Sequence, residues 1–288
     1  MIVAFEIGGS RIRAAAGGVG LGEVATPAAF DSFVAALAGF CGQVLQPILG
    51  VAVSIAGVVD RDSGRITVAN IPCLDGRILA LDLQAALGLP VLVLNDADCF
   101  ALAEAAAGAG RGSRVVFGVI LGTGVGGGLV IDGRVHQGAG GFAGEWGHGP
   151  VVQAPLLACG CGQMGCLDTV GGARGLERLH LALTHQALDV RAIVDGCPST
   201  VEAWAQLVGG VLAMVVNVVG ADVVPVGGGL SNNAGLIARL DSAVRARILR
   251  KTDRPLVVPA VCGADAGLIG AAAAGAAAFG QVSEQVRE

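Results

Sequence analysis

The chain has 288 residues, 53% of them hydrophobic and 14% charged, a balance that supports a large core and excludes a disordered polymer. Its net charge is −5, its only lysine is Lys251 and it has no basic run, so the clustered cations of a nucleic-acid footprint are excluded. The length allows one large domain or two of ordinary size.

Residues 2–16, IVAFEIGGSRIRAAA, place an apolar run, a Gly-Gly-Ser turn and an alternating run in series, which predicts a β-hairpin. Helical spacing of Phe30, Phe33, Val34, Leu37 and Phe40 predicts a helix over 27–46. Strands are expected at 51–60 and 64–70, a short helix at 79–87, a buried strand at 90–96 and a helix at 97–109. The pattern then restarts. An apolar strand at 115–121, a glycine-rich turn at 122–128 and a second strand at 128–131 repeat the layout of residues 2–16. Two α/β units of similar topology follow from this weak repeat, with a boundary in GAGRGS, residues 108–113. Later helices are expected at 171–186, 199–219, 233–249 and 266–279, with a strand at 221–229. The most apolar stretches, 207–221 and 266–279, are shorter than the ~20 residues of a membrane span and read as core helices. The start, MIVAFEIGG, lacks the basic region of a signal peptide, so a cytoplasmic, membrane-free protein is expected.

Gly122, Gly124 and Gly127 spell G-x-G-x-x-G, the spacing of a dinucleotide-binding turn. That fingerprint needs a following helix whose N-terminus carries the pyrophosphate. Here β-branched residues and another turn follow, and the chain has no P-loop sequence. What remains is a tight hairpin with unobstructed N–H groups. Two such turns facing across a cleft would grip a polyphosphate; alone, the glycines would merely close a hairpin.

Four further features bear on this choice. Asn95 and Asp96 end a buried strand just before a helix, where α/β sheets place ligand groups. Asp96 is either a general base for a hydroxyl or, like Asp98, a helix cap. His148, Cys159, Cys161 and Cys166 offer one imidazole and three thiolates, the ligand set of a structural zinc, or else are buried thiols beside an exposed histidine. The other five cysteines (Cys41, Cys73, Cys99, Cys197 and Cys262) read as small apolar core residues rather than disulfides. Asn70, in NIPCLDG, is a hydroxyl-reading amide or part of a plain turn. The glycines of VVPVGGGLS, 223–231, suit either a flat ligand such as adenine or tight helix–strand packing.

In this order, I-G-G-S, N-D-A-D-C-F-A-L, L-G-T-G-V-G-G-G, G-E-W-G-H, C-G-C-G-Q-M-G-C-L-D and G-G-G-L-S resemble the ROK family of sugar kinases and sugar-responsive repressors over about residues 2 to 280. The resemblance implies an α/β fold of two RNase-H-like, actin- and hexokinase-like (ASKHA) domains flanking an active-site cleft. The domains would span 1–112, completed by a C-terminal helix at about 266–280, and 113–265, with a zinc loop. The implied activity is ATP-dependent phosphorylation of the 6-hydroxyl of an N-acetylated hexosamine, N-acetylglucosamine being favoured, with Mg²⁺ accompanying ATP. N-acetylmannosamine, glucose and fructose are the alternative substrates.

Asp96 matches the base, and Asn70, Asn95, Glu145, His148 and Asp168 match sugar-binding positions. Gly8, Gly9 and Ser10 match the first phosphate loop, Gly122, Thr123 and Gly124 the second, and Gly227 and Gly228 the adenosine side. His148, Cys159, Cys161 and Cys166 match the zinc ligands, and a homodimer is the implied assembly. Three positions depart from the family pattern: Glu6 and Asp168 exchange Asp and Glu, and Ser10 replaces Thr. Glu6 and Asp168 keep open a catalytically weak sugar-binding or regulatory protein. A repressor is not expected, because a strand starts at Ile2 and the charge is unsuited to DNA.

Overall fold

A computed structural model describes residues 1–280. Its first layer is a five-stranded sheet of β1 (Ile2–Ile7), β2 (Arg11–Ala16), β3 (Val19–Ala25), β4 (Gly50–Ile55) and, after a two-stranded side hairpin of β5 (Val58–Val59) and β6 (Ile66–Thr67), β7 (Val91–Asn95). The spatial order is β3-β2-β1-β4-β7, with the first three strands antiparallel and the last two parallel to β1. The second sheet contains β8 (Val115–Leu121), β9 (Val125–Ile131), β10 (Arg134–Val135), β11 (Val224–Gly227) and β12 (Val257–Pro259) in the order β10-β9-β8-β11-β12, with the same senses. The repeat suspected from two hairpins is therefore a repeat of whole sheets. β1, β4 and β8 read as apolar runs because they sit centrally, covered on both faces.

The helices are α1 (Phe30–Cys41), α2 (Leu79–Leu87), α3 (Asp96–Ala106), α4 (Asp168–Gly171), α5 (Ala173–Thr184), α6 (Val190–Gly196), α7 (Pro198–Val219), α8 (Ala234–Arg245) and α9 (Ala266–Phe279). Phe33, Leu37 and Phe40 of α1 pack with Phe5 and Val53 in the first core, and Trp204, Leu212 and Leu240 pack with Val119 in the second. α3 is buried almost all round, from Ala97 to Glu104. It lies on β8 and β9 and against α9, and α9 lies on β1 and β4. The two helices thus join the layers. Their approach explains the Ala- and Gly-rich α9: a Cβ on Gly270 would fall 1.8 Å from the Cys99 carbonyl oxygen.

Several elements differ from expectation. β3 went unread because it is a mostly exposed edge strand with two glycines and no apolar alternation. The strand expected over 51–60 stops at Ile55, where the Gly57 N–H donates to the Ile55 carbonyl and turns the chain. α6 and β12 are short and carry too few residues for a periodic signal. α7 has 22 residues and a mean hydropathy of 1.6, so by length and composition it meets the requirement for a membrane span, which corrects the expectation drawn from the shorter stretch. Its Val201, Trp204, Val208 and Leu212 face is buried in the second core.

Candidate active site

The first glycine turn joins β1 to β2. The Gly8 N–H donates to the Arg11 carbonyl at 3.0 Å, and the Thr26 hydroxyl donates to the Gly8 carbonyl at 2.6 Å. Gly9 touches Asn70: a Cβ on Gly9 would lie 2.9 Å from the Asn70 Cβ. The structure therefore brings Asn70 to the first turn. Glu6 lies directly opposite Arg13 in the hairpin register and is held by its guanidinium, with Arg13 Nε donating to Oε2 at 2.7 Å. Arg13 also donates to Asp265 at 2.8 Å and to the Ala264 carbonyl. Glu6, Gly8, Ser10, Ser54 and Asp96 line one cavity of about 440 Å³.

At its inner end, Asn95 caps α3. Its Oδ1 accepts from the N–H groups of Ala97 (2.7 Å) and Asp98 (3.3 Å), and its Nδ2 donates to the Gly57 carbonyl at 2.8 Å. Capping thus falls to Asn95, and neither aspartate is consumed by it. Asp96 accepts one N–H, from Ala97 at 2.9 Å. Its residue is open to the cleft, yet the surrounding walls strip water from the carboxyl and lift it to about 6, with the charges of Glu6 and Glu145 adding to the shift and the N–H groups of Ala97 and Asp96 opposing it. Asp98 is buried and lifted to about 7, first by burial and then by the Asp96 charge, while the Gln137 side chain bonds it and opposes the rise.

The second turn joins β8 to β9. The Gly122 N–H donates to the Gly124 carbonyl at 3.1 Å, and the Ala173 N–H at the start of α5 donates to the Gly122 carbonyl at 2.8 Å. In both turns N–H groups, those of Gly9, Ser10, Thr123 and Gly124, have no partner among the described residues. Two further glycines of the run serve packing. Gly127 faces the Trp146 ring and Gly128 faces α3 at Ala97 and Ala101, each too close for a Cβ. No helix follows β9, so the dinucleotide reading has no structural basis.

Asp168 reaches this turn. Its Oδ1 accepts from the Val125 N–H at 2.8 Å and packs on Gly124, and its Oδ2 lies 4.0 Å from Cys159 Sγ. One of its oxygens is thus bound to the protein backbone, a role that nothing in its local sequence foretold for a residue expected to bind sugar. Beside it, the ligand atoms of His148, Cys159, Cys161 and Cys166 all lie within 4.8 Å of one another. His148 Nδ1 is 3.6 Å from Cys159 Sγ, and Cys161 and Cys166 are 3.6 Å apart. A tetrahedral zinc with ~2.3 Å sulfur bonds has edges of roughly 3.8 Å, so the four residues fit the ion. The Gln163 N–H, foremost, draws the Cys161 thiol down to about 7, while burial pushes Cys159 up to about 11. The other ring nitrogen, His148 Nε2, faces Glu145 Oε2 at 3.6 Å, so one imidazole spans the cluster and a second predicted site residue.

Gly227 and Gly228 end β11. Gly227 abuts the Phe100 ring, and Gly228, at φ +85°, sits within 2.5 Å of the Leu121 carbonyl for a built Cβ. Both pack closely on their Cβ side. The open neighbour is Gly229, which with Leu230, Asn233, Val190 and Arg191 lines a cavity of about 410 Å³. Reading the sequence missed this cavity because α6 forms its far wall. It also missed Arg13, although counting back from the Gly-Gly turn pairs position 13 with Glu6.

A profile of the ROK family matches residues 21–277. The chain is 37% identical over 239 residues to the N-acetylgalactosamine kinase AgaK of Shewanella sp. (strain ANA-3), covering 78% of this chain and 77% of that protein. It is 34% identical over 298 residues to the N-acetyl-D-glucosamine kinase of Photobacterium profundum, covering 94% and 98%. The crystal structure of the ROK hexokinase from Thermus thermophilus superposes with a TM-score of 0.83 at 33% identity, over 94% of this chain and 96% of that one.

Proposed function

This chain belongs to the ROK family, and from that premise we propose that it transfers the γ-phosphoryl group of ATP to the 6-hydroxyl of an N-acetylhexosamine. The observation that carries the reading is the position of Asp96, an uncapped carboxylate in the cavity that also holds the first glycine turn. N-acetylglucosamine is the favoured substrate. N-acetylgalactosamine is the second reading, favoured by the similarity to the Shewanella protein.

Phosphoryl transfer asks the protein for alignment and charge neutralisation. The free N–H groups of Gly9, Ser10, Thr123 and Gly124 receive phosphate oxygens. Asp96 orients the sugar hydroxyl and accepts its proton as oxygen 6 bonds to phosphorus and ADP departs. Mg²⁺ bound with ATP would supply charge neutralisation at the phosphates. Asn70, Glu145 and His148 take sugar hydroxyls, while Asn95 holds the start of α3 so that Asp96 points into the cavity. Asp168 acts chiefly by anchoring the second turn. Adenine occupies the cavity beside Gly229 and Asn233. A zinc ion on His148, Cys159, Cys161 and Cys166 would fix the loop and the direction of the His148 ring. The units divide near residue 112, with α9 completing the first and α3 reaching across to the second sheet. ATP supply and unpaired thiols suit the cytoplasm.

Phosphorus and carbon NMR of the product from ATP and N-acetylglucosamine tests this. Phosphate on oxygen 6 is expected; phosphate on oxygen 1, or free phosphate alone, overturns the reading.

A further inference from the structure

A cavity of about 760 Å³, lined by no residue of either glycine turn, lies at the base of the α3–α9 pair. Ala109 to Arg114, which lead out of α3, form one wall with the exception of Gly110, and Pro259 and Val261, which lead toward α9, form another. Four arginines line it: Arg111, Arg114, Arg250 and Arg254. The lone carboxylate among the lining residues, Asp222, is already occupied. It accepts from the N–H groups of Arg114 (3.1 Å) and Val115 (2.9 Å), and Arg250 lies 3.6 Å away. Arg114 reaches out to Asp132 at 3.0 Å. The guanidinium groups of Arg111 and Arg254 have no partner among the described residues. A chain of net charge −5 thus concentrates four cations against one spent carboxylate in a single concavity.

The same walls are pinned by a buried charge. Glu104 of α3 is fully buried, and its Oε1 accepts from the N–H groups of Val261 (2.9 Å) and Cys262 (2.7 Å), while Oε2 accepts from Ala109 at 2.8 Å. Ala109 and Val261 therefore face the cavity and also hang from one carboxylate on the helix that joins the layers. A ligand bridging the two walls would act on the segments that Glu104 ties to α3, the helix that joins the layers.

We infer that this cavity binds a sugar-sized phosphomonoester through Arg111 and Arg254 and thereby biases the opening of the cleft. The planar fork of arginine matches a phosphate bidentately. The volume exceeds what a bare phosphate fills and lies in the range of small-ligand sites. Ser113 and Thr252 on the lining supply hydroxyls for the remainder of the ligand. The choice of a sugar phosphate rests on the kinase reading, since the product of that reaction is such an ester.

The test is calorimetric titration of the whole protein, with the cleft filled by a non-hydrolysable ATP analogue and N-acetylglucosamine. The titrants are N-acetylglucosamine 6-phosphate, inorganic phosphate and sulfate. One saturable site for the sugar phosphate is expected, weakened at least tenfold in R111S/R254S. Both side chains are exposed and lie outside the catalytic cleft, so the variant should melt like the parent and keep its rate in the absence of the ester. Lack of saturable binding, equal binding by the variant, or equal affinity for sulfate overturns the proposal. The titration reads binding without turnover, so it fails separately from the kinase reading. Tighter binding of inorganic phosphate than of the ester overturns the ligand class.

Discussion

The two glycine turns occupy the same place in two sheets of identical strand order, yet different side chains hold them. The first is braced by an ion pair: Glu6 on Arg13, and Arg13 on Asp265 in the segment before α9. The second is braced by backbone and metal-loop contacts: Asp168 on the Val125 N–H, α5 bonded to Gly122, and the cysteine–histidine cluster behind. A backbone that offers free N–H groups can be set by unrelated supports. The first support is charged and partly exposed, so it should respond to charge removal. The second is covalently stiffened when metal is bound, so it should respond to metal removal.

The largest expected effect falls on the carboxylate that shares a cavity with the first turn. D96N should lower turnover by ~10²–10⁴ while the sugar KM moves only a few-fold, because the amide keeps the shape and cannot accept the proton. Steady-state kinetics check this, and a near-normal kcat would break the comparison at its centre. Next, C161S should reduce bound zinc and raise the sugar KM ~10–100-fold, with the ATP KM moving less. Metal analysis alongside kinetics separates this from simple unfolding.

R13A leaves Glu6 without its partner at the phosphate end. It should raise the ATP KM by about tenfold and leave zinc content unchanged. The smallest effect is on pH. The base works unprotonated and its carboxyl stands at about 6, so kcat/KM should be halved near that pH and fall tenfold per unit below it. Asp98, lifted to about 7, is already protonated where Asp96 titrates, so D98N should leave the acid limb in place. A limb that stays near pH 4 would show that the walls around Asp96 do not exclude water.

The sequence made the turns legible and left their supports obscure, for physical reasons. The β1–β2 hairpin, α2 and α9 follow from local periodicity and turn chemistry, and their bounds match. The cysteine–histidine cluster follows from ligand types within nineteen residues. Tertiary contacts decided the rest. Asn95, expected to read sugar, also makes the cap that either aspartate was equally suited to make. Gly227 and Gly228 lie against Phe100 and Leu121, a demand set by residues about a hundred positions away. Asp168 bonds a strand forty-three residues earlier. Such pairings carry no local signal, whereas Glu6–Arg13 did carry one in the register of a single hairpin.

The most direct test is a coupled ATP-consumption assay with Mg²⁺, comparing N-acetylglucosamine, N-acetylgalactosamine, N-acetylmannosamine, glucose and fructose on the purified protein. A strong preference for one N-acetylhexosamine, with N-acetylglucosamine first, is the expected result. Background rates with all five sugars would contradict the account and point to Glu6 and Asp168 as the substitutions that silenced the site.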